Sequence, residues 1–217
     1  MQPAAAGLGA ACVLIASPWL AALTVTVPDR ANRRWWRPVA VSRSRTAVVA
    51  VLGVLAGALA GMAAGWSASL PGWVALAMVL SPLAVIDVQH HRLPDRLVAA
   101  GYVFGAVLLT VAAEVRDEPG RLARAGLAAA IVAAVLLVLA LLSPTGFGLG
   151  DVKLGGLLAG YLGWLGWRFV VPGLFAGFVL GALVALALVA ARRATLRTEI
   201  AFGPALMLGA LLIAATG

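Results

Sequence analysis

The chain reads as an all-α polytopic membrane protein of about eight transmembrane helices, with both termini outside. Three observations predict this. Hydrophobic residues make up 63% of the 217 positions and charged residues only 11%, a balance that no water-soluble domain reaches. The apolar residues fall in runs near the ~20 residues that a bilayer requires. The charges, sixteen basic and eight acidic, sit mainly in the short gaps between those runs. A net charge of +8 could otherwise suggest nucleic acid. Arginines confined to inter-span gaps argue against it, and the bilayer is the expected partner surface.

The spans follow in order: 4–27, 46–66, 72–89, 95–114, 122–143, 151–167, 169–191 and 200–216. Only Met1-Gln2-Pro3 precede the first run and a cluster of arginines follows it. A cleaved signal peptide has the reverse charge order, so 4–27 is expected to be a retained first helix. The sixth and eighth spans are short. The sixth begins at Asp151, so its first turn is expected near the headgroups or buried in protein. The positive-inside rule tests the count. With loop 28–45 in the cytoplasm, twelve of the sixteen basic residues fall on the cytoplasmic side; Arg116, Arg121, Arg124 and Arg168 fall on the other. Under this topology Asp87 ends a span and Asp151 begins one at the same face.

Loop 28–45 is the one extended polar stretch, and it is too short to be a catalytic domain. Trp35 and Trp36 lie among its arginines, which suits an interfacial anchor on anionic lipid; a substrate or partner contact is the alternative. Residues 1–71 therefore form two N-terminal helices with an Arg-rich loop, and 72–217 a six-helix core. Gly53, Gly57, Gly61 and Gly65 recur every fourth position, as do Gly173, Gly177 and Gly181. Each set predicts a small-residue stripe for close helix packing. Trp66, Trp73, Trp164 and Trp167 are expected in an aromatic belt at the outer interface. The single cysteine, Cys12, permits no intrachain disulfide and reads as a packing residue.

Two carboxylates carry the chemical argument. Ionisable groups at membrane depth are costly and are functional candidates by default. Asp87 lies in the last turn of its span, within Asp87-Val88-Gln89-His90-His91-Arg92-Leu93-Pro94-Asp95. A negative charge at a helix C-terminus is unfavourable with the dipole, so a purely structural role fits poorly. The structural alternative is a salt bridge to Arg92 or Arg96. Asp151 lies in Gly148-Leu149-Gly150-Asp151-Val152-Lys153, after Ser143-Pro144-Thr145-Gly146. Gly and Pro interrupt the helix there, and glycines allow a substrate strand to approach the main chain. The plain alternative is that Asp151 is a helix N-cap.

Lys153 is two residues past Asp151 and off its helical face. It either stabilises negative charge at the site or anchors the helix end to headgroups. His90 and His91 would project about 100° apart on a helix and cannot both face one metal; no metal or other cofactor is expected. Phe202-Gly203-Pro204 opens the last span as an ordinary helix start.

These residues together resemble the type IV prepilin peptidases, polytopic aspartic proteases of the GxGD class. In that family the first aspartate lies six residues before an aliphatic-Pro-Asn/Asp, matched here by Asp87 and Leu93-Pro94-Asp95. The second is the aspartate of GxGDxK, matched by Gly148 to Lys153. Phe202-Gly203-Pro204 resembles the family's terminal element. The resemblance covers about residues 72–216. It implies Asp87 and Asp151 as the catalytic pair, with Gly148, Gly150, Lys153, Pro94 and Asp95 shaping the site or binding substrate. It also implies pilin-like precursors as substrate partners, cut after a basic leader at the cytoplasmic face of the bacterial inner membrane. Many members carry a larger cytoplasmic segment with paired cysteines that bind zinc, associated with N-methylation. Loop 28–45 has no cysteine, so this chain resembles a short, peptidase-only form.

Mechanistically, one carboxylate would be the general base on a water and the other, protonated, would hydrogen-bond the scissile carbonyl. The sequence assigns neither role. Two other readings use the same carboxylates. One is a membrane aspartyl protease of the presenilin or signal-peptide-peptidase type, whose usual Tyr-Asp element is absent because Ile86 precedes Asp87. The other is a proton-coupled transporter with relay carboxylates. Oligomeric state is left open.

Overall fold

The computed structural model describes residues 2–28, 32, 34–142, 148–192 and 201–217. Among the described residues eight helices follow in chain order: α1 (Gln2–Thr26), α2 (Arg43–Ala64), α3 (Leu70–His90), α4 (Asp95–Arg116), α5 (Pro119–Leu142), α6 (Leu149–Leu165), α7 (Trp167–Ala190) and α8 (Gly203–Ala214). Each corresponds to one expected span. α1 to α5 and α7 are long and apolar enough to cross a bilayer. At 1.5 Å per residue α6 extends about 26 Å and α8 about 18 Å, short of a ~30 Å hydrocarbon core. Side chains such as Val103, Val107, Val111 and Val115 on α4, or Leu183 and Leu186 on α7, are exposed. In an all-helical chain of this composition such faces are solvated by lipid, and the chain is a polytopic all-α membrane protein.

α1 and α2 form an intimate pair because their facing residues are small. A Cβ on Gly57 would meet the Gly9 carbonyl at 2.5 Å, and one on Gly61 would strike the Ala5 backbone. Gly53 faces Val13 and Ser81, which joins the pair to α3. The fourth glycine of the expected stripe belongs elsewhere. Gly65 has φ +56°, caps α2 and has no neighbour within 4 Å of its Cβ position. Its φ of +56° with ψ −162° is backbone that a glycine adopts at least cost.

The second stripe seats the short helices. Gly173 faces Leu162 of α6, Gly177 faces Leu206 of α8, and Gly181 faces the Phe202 ring at the entry to α8. Gly209 of α8 completes the seam: a Cβ there would overlap the Gly177 backbone. α8 therefore lies backbone to backbone on α7, and its N-terminus is held at a fixed depth. That N-terminus bears on the candidate site.

α6 is anchored at its far end. Arg124 of α5 donates from Nε to the Gly163 carbonyl (2.6 Å) and from Nη2 to the Trp164 carbonyl (3.0 Å). A cation on the last carbonyls satisfies orphan acceptors and complements the dipole. Tyr161 donates to the Gly72 carbonyl of α3 at 3.0 Å, and its ring meets Trp73 edge-on at 5.2 Å. Trp73 and Trp164 are each only 1% exposed, so they belong to the interior; Trp66 and Trp167 alone of the four are exposed. Proximity to a helix end is shared by belt and interior tryptophans, so sequence position does not separate them.

Three outcomes follow. Gly209→Ala should separate α7 from α8 and cost about 1–3 kcal/mol, as overpacking does, read as a lower thermal midpoint in detergent. Gly126→Ala, where an added Cβ meets nothing, should be neutral or slightly stabilising. Arg124→Met should lower the midpoint by the loss of two charged hydrogen bonds, about 1–3 kcal/mol; an unchanged midpoint would remove the capping role.

Candidate functional site

The two aspartates come from helices that do not pack closely on one another. α3 and α6 are bridged by α4 on one side and α8 on the other. Tyr161 and Trp73 close one end of the intervening space, and the carboxylates occupy the opposite end.

Asp87 sits in the last turn of α3 and is 5% exposed. Its Oδ2 accepts a hydrogen bond from the Gly203 backbone N–H at 2.9 Å. Gly203 is the first residue of α8, where N–H groups lack intrahelical partners and the positive end of the dipole lies. The N-terminus of α8 thus offsets the unfavourable C-terminal field of α3. Pro204 at the next position has no N–H to leave unsatisfied. A side chain at 203 would push the carboxylate aside, because a Cβ there would stand 2.7 Å from Asp87 Oδ2. Phe202-Gly203-Pro204 is therefore more than a helix start: it supplies the partner of a buried carboxylate. Beyond its resemblance to the family's terminal element, its pairing of Gly with Pro was the one physical signal, and it reads the same in a helix start with no such contact.

The salt-bridge alternative for Asp87 gives way to other contacts. Arg92 Nη2 donates to the Pro28 carbonyl (3.1 Å) and Arg96 Nη1 to the Asn32 carbonyl (3.0 Å). Both arginines tie the 28–45 segment to the α3–α4 turn. Thr26 Oγ1 donates to the Trp35 carbonyl (2.6 Å) and Trp19 Nε1 to the Trp36 carbonyl (2.9 Å), fastening the same segment to α1. Trp36 is exposed, as an interfacial anchor requires, while Trp35 packs against the core.

Asp151 is half-buried in the first turn of α6. It is not the N-cap, as one sequence reading had it. Gly148 takes that position, and Asp151 is the third helical residue, its carboxylate turned back toward the Gly148 N–H. This is the third helical position, from which a capping-box side chain reaches back. From there it shares one end of the bundle with Asp87, since Leu93 lies against both Gly150 beside it and Gly203 on Asp87. Positions 64 residues apart in sequence thus share one site. Ser143 to Gly146, the Gly/Pro lead-in, lie outside the described residues.

Leu93 is the wedge between the helix starts. Its side chain lies against Gly150 of α6 and Gly203 of α8, at 3.2 and 3.5 Å from where their Cβ atoms would be. Pro94 caps α4, and Asp95 is its first residue. Lys153 Nζ pairs with Asp95 Oδ1 at 2.6 Å, and Tyr102 donates to the Lys153 carbonyl at 2.9 Å. Lys153 thus pairs with Asp95 and with neither aspartate of the dyad. Tyr102 was missed altogether, since nothing in its apolar run marks it.

His90 is the last residue of α3 and is exposed. His91 leaves the helix at φ 49°, its N–H on the Asp87 carbonyl at 2.8 Å. It is a left-handed C-cap rather than a helical neighbour of His90, so the 100° argument does not apply to the pair. Among the described residues no group of three or more His, Cys, Asp or Glu is arranged to hold a metal ion. Chemically, the site offers two carboxylates in one partly desolvated cleft, one held by a backbone N–H and the other still half-exposed.

Searches of curated proteins and of solved structures return no match. The model of the Type IV leader peptidase family matches residues 74–186, more than half of the chain, and spans both aspartates, the Leu93-Pro94-Asp95 turn and the first turn of α6. On that match the chain belongs to the Type IV leader peptidase family.

Proposed function

We propose that this peptidase is an aspartic endopeptidase whose dyad is Asp87 and Asp151. The reading rests on one observation above the others. Two carboxylates from separate helices come to one end of the bundle, where Leu93 lies against both Gly150 and Gly203, and one of them is clamped by the Gly203 N–H. Like charges held together favour a shared proton, the state an acid–base pair needs. One carboxylate withdraws a proton from a water that attacks the scissile carbonyl. The other donates a hydrogen bond to the carbonyl oxygen, and the proton returns to the leaving amine.

The substrate class is the basic leader of prepilin-like precursors, cut at the cytoplasmic face of a bacterial inner membrane. Residues 72–217 hold every candidate site residue and serve as the peptidase core. Residues 1–71 support it through α1 and α2, with both termini outside. Gly148 and Gly150 keep the main chain accessible at the start of α6, and Pro94 fixes the turn that presents Leu93 and Asp95.

Asp87→Asn and Asp151→Asn should each abolish cleavage of a co-expressed leader-bearing precursor, read by the mass of its new N-terminus, with membrane levels unchanged. Normal turnover by either variant would exclude the dyad. Proton-dependent solute uptake by liposomes, with no cleavage by wild type, would instead favour a transporter. Gly203→Ala should lower turnover on the order of 10²-fold, the scale of a ~1 Å misplacement, while the chain still inserts and folds.

A further inference from the structure

We propose that Asp95 is the seat for a positive charge of the substrate leader and that Lys153 occupies it until substrate arrives; this rests on the leader-peptidase reading above. The inference starts from the charge of one end of the bundle. Loop 28–45, the α3–α4 turn, the start of α6 and the end of α7 share that end. Arg34, Arg37, Arg43, Arg92, Lys153 and Arg192 are all exposed there. The described carboxylates at the same end are three. Asp87 is buried on Gly203, and Asp151 is half-buried beside it. Asp95 is the exposed one, its side chain 75% accessible. A cationic segment approaching the cleft is repelled by most of this surface and attracted at Asp95.

The position is suitable. Asp95 follows Leu93 and Pro94, and Leu93 touches the helix starts that carry Asp151 and hold Asp87. Its present partner, Lys153, lies two residues past Asp151. The seat is therefore on the rim of the cleft rather than within it.

The ion pair is also exchangeable. Both members are substantially exposed, 48% for Lys153 and 75% for Asp95, and exposed pairs contribute little to stability. The ammonium sits on a flexible four-carbon stem and can swing away. α6 does not need the pair to stay in place, because Tyr102 holds the Lys153 carbonyl and Leu93 lies against Gly150. A substrate cation can displace Lys153 without unseating Asp151.

The test uses the full chain in detergent and three precursors differing at one leader position, Lys, Gln or Glu. In wild type the Lys leader should show a KM roughly three- to tenfold below that of the Gln leader, the scale of one rim charge pair. The ratio should shrink as salt is raised. Asp95→Asn should bring it toward one, Asp95→Lys should invert it in favour of the Glu leader, and Asp95→Glu should preserve it. An unchanged ratio in Asp95→Asn and Asp95→Lys would overturn the proposal. So would a fall in kcat equal for all three leaders with the ratio retained, which marks a positioning residue instead. Failure of wild type to cleave any leader would sink the leader-peptidase reading itself, a result distinct from cleavage without charge preference.

Discussion

A single backbone hydrogen bond organises the candidate site. Asp87 lies at the C-terminal end of α3, where the helix dipole opposes a negative charge and burial removes its water. The Gly203 N–H on its Oδ2 answers both costs, because it comes from a helix N-terminus and makes a hydrogen bond in the buried space. Everything that fixes Gly203 therefore bears on Asp87. α8 is short and cannot position itself by spanning the bilayer. It is positioned by the glycine seam with α7, where Gly177 and Gly209 bring the backbones together.

The same logic governs the other carboxylate. Asp151 is placed by the first turn of α6, and α6 is secured at several points. Arg124 and Tyr161 hold its far end, Leu93 lies against Gly150, and Tyr102 holds the Lys153 carbonyl. These contacts come from α5, α3 and α4, so the cleft is a product of the whole bundle. The 28–45 segment adds a strap, with Arg92 and Arg96 bound to its carbonyls. In a medium where apolar faces gain little by meeting one another, close packing and such polar contacts carry the specificity of assembly.

Much was legible in the chain itself. All eight helices were visible as apolar runs, because a bilayer demands a length and an apolarity that few other structures share. Asp87 and Asp151 stood out because a carboxylate beside such a run is expensive. Their local motifs, with Leu93-Pro94-Asp95 and the Gly148–Lys153 stretch, pointed to the family that the match over residues 74–186 shows. The Gly173, Gly177 and Gly181 stripe was readable from its fourfold spacing. Gly65 shows the limit of that signal: the spacing continues, but the helix has ended.

What the sequence by itself determined was the membrane class and the eight apolar runs that are helical among the described residues, and it singled out two candidate carboxylates, because length, apolarity and charge are local properties. What only the tertiary structure decided was who meets whom. The Gly203 N–H on Asp87, the Lys153 pairing with Asp95, the Tyr102 contact and the burial of Trp73 and Trp164 all join residues distant in sequence. In a helix bundle a residue's partner depends on the rotation and depth of neighbouring helices. Those are set by the shapes that interlock, and no single apolar run carries that information.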